Sequence, residues 1–184
     1  MPSDHHTPIA ASAAANSTTI NAPLSELDAA ISAVPRLEFA ILRDQKTTGT
    51  NGGTFTAGAW QTRTLNTEHL DTGGIVSLVA NQFTLQAGEY LIRASAEANN
   101  VANHQLRLRN ITDATTDLVG HTCLASGTLA TAALLIGYIN ISAQKTFELQ
   151  HYCAVTNADD GFGQALTVTT EIYATVEITQ LIGY

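Results

Sequence analysis

Few residues of this 184-residue chain have the type and spacing to do chemistry. In the segment FELQHYCAV, Phe147, Leu149, His151, Cys153 and Val155 share one face of an alternating pattern, which sets an imidazole beside a thiol. That pair could begin a metal or thiol site, but no other residue supplies the remaining ligands of a metal at a recognisable spacing. The face is otherwise apolar, so the pattern predicts His151 in a core. Asp159 and Asp160, in the loop NADDGFG, offer oxygen ligands for calcium without the alternating, Glu-terminated order of an EF-hand loop. His5 and His6 are adjacent on a polar stretch, which makes a poor metal site, and Ser126 in ASGTL lacks the glycines of a nucleophile elbow. Arg107 and Arg109 in HQLRLRNIT lie on one side and could grip an anion. The expectation for them is cross-strand pairing with a carboxylate, Glu97 or Glu177. No nucleophile with its base, no carboxylate pair and no metal set assembles from these residues. The chain reads as non-enzymatic, without a cofactor.

Composition narrows the partners. Hydrophobic residues make up 45% and charged residues 13%, the latter about half of the ~25% usual in soluble domains. So little charge predicts a surface partly hidden against other subunits. The net charge is −8, and Lys46 and Lys145 are the only lysines. A nucleic-acid partner is therefore not expected, because phosphate binding needs a basic field. No run approaches the ~18 apolar residues of a membrane span. The opening Met-Pro-Ser-Asp-His-His has neither the basic nor the apolar region of a signal peptide. Cys123 and Cys153 are too few for a disulfide framework and read as buried free thiols.

The elements that must position these residues fall into three stretches. Residues 1–22 are Ala, Ser, Thr and Asn without periodicity and read as an extended arm that needs an external anchor. Residues 23–35 read as a short helix: Pro23 suits a first helical position and Pro35 ends it. Leu24, Leu27, Ile31 and Val34 make a narrow apolar stripe at three-four-three spacing, which can pack on copies of itself or back on its own domain. Residues 36–184 carry β patterning throughout. Leu37, Phe39 and Ile41 open a first strand, Trp60–Leu65 and Ile75–Val79 read as further strands, and Asn51-Gly52-Gly53 is the strongest turn signal. In QFTLQAGEYLIRASAEA, Phe83 and Leu85 alternate, Ala87-Gly88 turn, and Tyr90, Ile92, Ala94 and Ala96 share a face, a hairpin-like pair. In the last strand Ile172, Ala174, Val176 and Ile178 are expected inward.

One strand is apolar on both faces. In TAALLIGYINI, Thr131 to Ile141, Leu134, Ile136 and Tyr138 oppose Leu135 and Ile139. An antiparallel strand usually keeps one wet face, so this one must be covered twice, and another subunit could be the second cover. Leu24, Leu27, Ile31, Val34, Leu134, Leu135, Ile136, Tyr138 and Ile139 are accordingly the expected subunit contacts.

The segment QFTLQAGEYLIRASAE resembles the hallmark of tumour-necrosis-factor-like and complement-globular-head domains. HQLRLRNITD, KTFELQHYCAVTNADDGFG and EIYATVEI resemble the C-terminal heads of bacteriophage fibre and virion-surface proteins, and TTINAPLSELDAAISA a helical module that precedes such heads. The resemblance implies an all-β fold, an antiparallel jelly-roll sandwich, assembled as a homotrimer. It implies a structural protein on a tailed-phage virion surface, made in the host cytoplasm. That would be a capsid decoration (cement) protein or short appendage, held on other virion proteins of capsid or tail by the arm. The alternative it implies is a tail-fibre-type receptor-binding head for a host surface glycan or protein.

Overall fold

The computed structural model describes residues 17–32, 34 and 36–183. Helix α1 spans Ser17–Ser32. It starts six residues before the expected 23, so the last residues assigned to the arm are helical, and residues 1–16 lie outside the described part. Pro23 is inside the helix, not at its start; its ring removes the N–H that would bond back to the Thr19 carbonyl. The early turns hold no apolar stripe, so periodicity alone could not register them. Val34 closes the end, its N–H donating to the Ile31 carbonyl at 3.2 Å.

The β unit follows, with β1 Arg36–Lys46, β2 Gln61–Thr62, β3 Thr67–Asp71, β4 Val76–Val79, β5 Gln82–Leu85 and β6 Gly88–Asn99. Next come β7 Ala102–Asn110, β8 Thr115–Ala125, β9 Ala130–Ile141, β10 Lys145–Cys153 and β11 Glu171–Ile182. One five-stranded sheet runs β3-β1-β11-β6-β9, and a six-stranded sheet runs β4-β5-β10-β7-β8 with β2 beside β10. Pairing within both is antiparallel. The fold is all-β, a jelly-roll sandwich.

Inward side chains of the two sheets fill one core, and the two layers differ in size. The first sheet contributes small residues, Ala40, Ala94, Ala96, Ala133 and Ala174, between Leu42, Ile92, Leu135 and Val176. The second contributes Phe83, Leu85, Leu106, Leu108, Phe147 and Leu149, with the Phe83 and Phe147 rings stacked 5.7 Å apart. Small against large lets the layers interdigitate at native density. Gly137 on β9 belongs to the same fit, since a Cβ there would come within 2.4 Å of Leu118 Cδ2 on β8.

Three local expectations need correction. β5 and β6 are not a hairpin: β5 pairs with β4 and β10, β6 with β11 and β9. Residues 86–88 cross between the sheets, pinned by Tyr90 Oη donating to the Gln86 carbonyl at 3.1 Å. A glycine reversal looks the same in sequence whether it closes a hairpin or changes layers. Asn51–Gly53 is not a turn but irregular backbone, with Gly53 at φ 108°, zipped to the 157–163 loop through Gly52 N to Gly163 O and Gly53 N to Asp159 O, both 2.8 Å. Gly52 serves close approach there, as a Cβ would sit 2.6 Å from the Phe162 carbonyl carbon. Ile172 is only half-buried, while Tyr173 is buried. The register slips where Asp44 meets Ala174 and Gln45 meets Ile172, leaving Tyr173 as an extra residue that shifts the phase.

Candidate functional site

The first sheet has two faces, and its outer one is apolar. Alternation puts Leu135 and Ile139 into the chain's own core, 0% and 7% exposed, so these two residues are not available for the expected subunit contact. Leu134, Ile136 and Tyr138 point outward from the same strand. Registers then carry apolar side chains across the whole face. One row runs Leu70, Ile41, Glu177, Arg93, Ile136, and the next runs Phe39, Thr179, Leu91, Tyr138. Leu37, Phe39, Leu70, Leu91, Leu134, Ile136 and Tyr138 each leave 41–53% of their surface exposed. Sequence reading missed Leu37, Phe39, Leu70 and Leu91, although β1 carries the same signature as β9: Leu37 and Phe39 outward, Ala40 and Leu42 inward.

Near the middle of this face, Arg93 and Glu177 are cross-strand neighbours with Arg93 NH1 3.9 Å from Glu177 Oε2. The pair is exposed in the single chain and gains little there. Two open hollows of about 230 and 330 Å³ border it, one lined by Leu134, Ser95 and Thr175, the other by Leu91, Ile136 and Thr179. Such hollows can accept side chains of a partner surface.

The outer face of the second sheet is polar and self-satisfied along its central strands, with Val79, Val119 and Leu124 exposed on the edge strands β4 and β8. Glu148 accepts from Gln82 Nε2 (2.8 Å), Gln150 Nε2 (2.7 Å) and Thr62 Oγ1 (2.8 Å). Arg107 donates through Nε and NH2 to Gln150 Oε1 at 2.9 and 2.7 Å and lies 4.3 Å over the Trp60 ring. Arg107 therefore takes an amide and an aromatic face, not the expected Glu97 or Glu177; Glu177 takes Arg93.

The sequence-selected His and Cys residues converge inside the sandwich. His151 is fully buried with Nε2 2.9 Å from His104 Nδ1, and His104 Nε2 is 2.8 Å from Thr131 Oγ1 on the other sheet. Cys153 and Cys123 flank His104 in register; both are free, Cys153 buried and Cys123 half-exposed. Burial pushes the Cys153 thiol up to about 11, so it stays protonated at neutral pH. Among the described residues no three His, Cys, Asp or Glu side chains converge as a metal site. Above the histidines lies Arg63, wholly buried, which sequence reading passed over. It donates to the Glu97, Phe162 and Tyr173 carbonyls at 2.9–3.4 Å, with Asp44 Oδ2 3.6 Å from NH2. Burial pulls its guanidinium down to about 10, against the opposing pull of Asp44 and Glu97, and leaves it a cation at neutral pH. Asp159 and Asp160 are occupied within the loop pair: Asp159 accepts from Asn51 Nδ2 at 2.7 Å and Asp160 from Asn157 Nδ2 at 2.8 Å.

Leu24, Leu27, Ile31 and Val34 are all exposed on the helical segment.

Two sheets of this order, closed by a crossover between β5 and β6, define a jelly-roll head of the tumour-necrosis-factor-like type. Solved structures share it: murine APRIL at pH 5.0 with TM-score 0.53 and 7% identity, covering 79% of this chain and 99% of that one. Murine APRIL at pH 8.0 gives 0.51 and 8% with the same coverage, and the globular domain of zebrafish complement 1qA gives 0.47 and 11%, covering 77% and 94%. At these identities the likeness is one of fold. No protein-family model and no curated protein matches the chain.

Proposed function

We propose that this chain is a non-enzymatic structural protein that acts as a homotrimer on the surface of a tailed-phage virion, as a capsid decoration protein or short appendage. The observation that carries the assembly is the contrast between outer faces: the first sheet exposes contiguous apolar rows across its strands, whereas the second keeps a satisfied polar network at its centre and confines its exposed apolar residues to the edge strands β4 and β8. A face built like a half-core is stable only when covered, and a second and third copy of the same face supply the cover. The trimeric state draws support from the fold type, and the virion setting from the resemblance of residues 104–113, 145–163 and 171–178 to the heads of phage fibre and virion-surface proteins. Under this reading the N-terminal segment anchors the head to other virion proteins.

Light scattering on the full chain tests the assembly: three times the mass of one 19.4 kDa chain is expected, and a stable monomer at micromolar concentration overturns it. Co-sedimentation with undecorated particles tests the anchor, comparing the full chain with one lacking residues 1–22. Equal binding by both defeats anchoring. The receptor-binding alternative has one observation of its own. Among the described residues Leu166 and Val168 are the most exposed large apolar side chains (72% and 76%), at the loop end opposite the start of β1. Tight binding of residues 36–184 to host cells or glycans would favour that alternative.

A further inference from the structure

The buried histidine pair has a determinable proton arrangement. Thr131 Oγ1 donates to the Leu124 carbonyl at 3.2 Å, which spends its only hydrogen. His104 Nε2, 2.8 Å from the same oxygen, is then the donor and His104 Nδ1 carries a lone pair; the reverse assignment would leave His151 Nδ1–H a buried donor without an acceptor. That lone pair accepts from His151 Nε2–H at 2.9 Å, so His151 Nδ1 is unprotonated as well. It has no hydrogen-bond partner and no solvent access. The chain His151, His104, Thr131, Leu124 thus ties β10, β7 and β8 of one sheet to β9 of the other with every proton placed.

We propose that this chain of neutral imidazoles is an acid-sensitive latch between the two sheets: neutral, it closes the loop end of the sandwich; protonated, it opens it. The free lone pair of His151 can take a proton without breaking a hydrogen bond of the chain. The cation so formed would lie among the Phe55 and Phe162 rings, 4.7 and 6.5 Å away centroid to centroid, and under the buried Arg63 cation. A second proton, on His104 Nδ1, abolishes the bond between the rings. Around the pair stand Arg63 from the segment after β2, Thr131 from β9, Cys123 from β8 and Cys153 from β10. The carboxylates of Asp44 on β1 and Glu97 on β6 act on Arg63. No carboxylate hydrogen-bonds either imidazole, so nothing neutralises the added charge.

The pKa directions support the geometry. Burial, then Arg63, hold His104 down at about 4, and burial, Arg63 and His104 hold His151 well below 6.5. The folded chain therefore binds fewer protons than the unfolded one as pH falls below about 6.5. Stability is full above that value and is lost progressively toward pH 4, not gained. The latch lies within one chain and is independent of how chains assemble.

Two measurements on the full chain test it. Long-range ¹⁵N–¹H correlation spectra at pH 7 should show His151 Nδ1 and His104 Nδ1 as unprotonated, and neither ring should titrate near 6.5. A protonated Nδ1 on either, or titration near 6.5 in the folded state, overturns the proposal. Urea unfolding at pH 7 and pH 5, compared with the His104→Gln, His151→Phe double variant, isolates the pair from titrating carboxylates. The wild type should lose at least tenfold more in its folding constant than the variant between these pH values. Equal losses overturn the proposal, and if the variant does not fold, the spectra decide alone.

Discussion

Replacing Leu91 with Asp puts the assembly reading at most risk. Leu91 is 45% exposed on the outer face, and its cross-strand neighbours are Thr179 and Tyr138, neither of them a cation that could shelter a carboxylate. In the single chain the change is tolerable, because the side chain points away from the core. In a trimer each copy loses the burial of about half a leucine, about 1 kcal/mol. Each also desolvates a carboxylate, about 3 kcal/mol or more. Threefold symmetry counts the loss three times. Even if water entry and rearrangement recover two-thirds of it, roughly 4 kcal/mol remains, about a thousandfold in the association constant. Light scattering and sedimentation at micromolar concentration should then show a folded monomer with wild-type far-ultraviolet circular dichroism. Leu135→Asp, one residue from the outward Leu134 but fully buried in the chain's own core, should unfold or aggregate instead. A Leu91→Asp protein that remains trimeric would refute the placement of the interface on this face.

Other outcomes follow from single interactions. Arg63→Met should cost about 3–5 kcal/mol in urea unfolding, because it strips three carbonyls of their donor and leaves Asp44 with Lys46 alone. Glu171 is held low by backbone N–H donors from Gly49, Thr167 and Leu166, so its contribution is present above about pH 4.5 and fades as pH falls through its depressed value. Glu171→Gln should flatten that part of the pH–melting curve. Gly137→Val should lower the melting temperature by several degrees, since its Cβ would overlap Leu118. Removing residues 1–35 should leave a head with unchanged β circular dichroism, because both sheets are built from strands that begin at Arg36; Leu27→Asp should weaken assembly only if the helical stripes meet each other.

Legibility followed periodicity and stopped where two physical causes share one pattern. The alternation in β6, β7, β10 and β11 marks true inward faces: Tyr90, Leu106, Leu149 and Val176 are buried as the pattern requires. Where both phases are apolar, as in β1 and β9, alternation cannot say which phase meets the core. There the inward phase mixes alanines with large residues, Ala40 with Leu42 and Ala133 with Leu135 and Ile139, while Leu37, Phe39 and Ile136 are left outside. β8 went unread because Thr, Asp and Gly interrupt its apolar run, and it forms by pairing along β7. Arg63 went unread because, within the strand expected over Trp60–Leu65, an Arg reads as a solvent-facing residue; β2 covers only Gln61–Thr62, and the segments folding over Arg63 supply the carbonyls.

The outward phase of the first sheet bears on the low charge of the chain. A monomeric sandwich gains most by burying its largest apolar side chains and spending small or polar ones on the surface. Here the first sheet buries alanines along with Leu42, Ile92 and Leu135, yet still displays Leu, Ile, Phe and Tyr, and among the described residues Arg93–Glu177 is the ion pair that crosses the apolar rows. Such an arrangement is costly for an isolated chain and favourable once copies meet. The exposed ion pair then acquires a role in geometry: desolvated on assembly, its two charges must stay paired, which penalises any docking that separates them. In the proposed assembly the same face would supply both the area that drives association and the constraint that selects one arrangement of it.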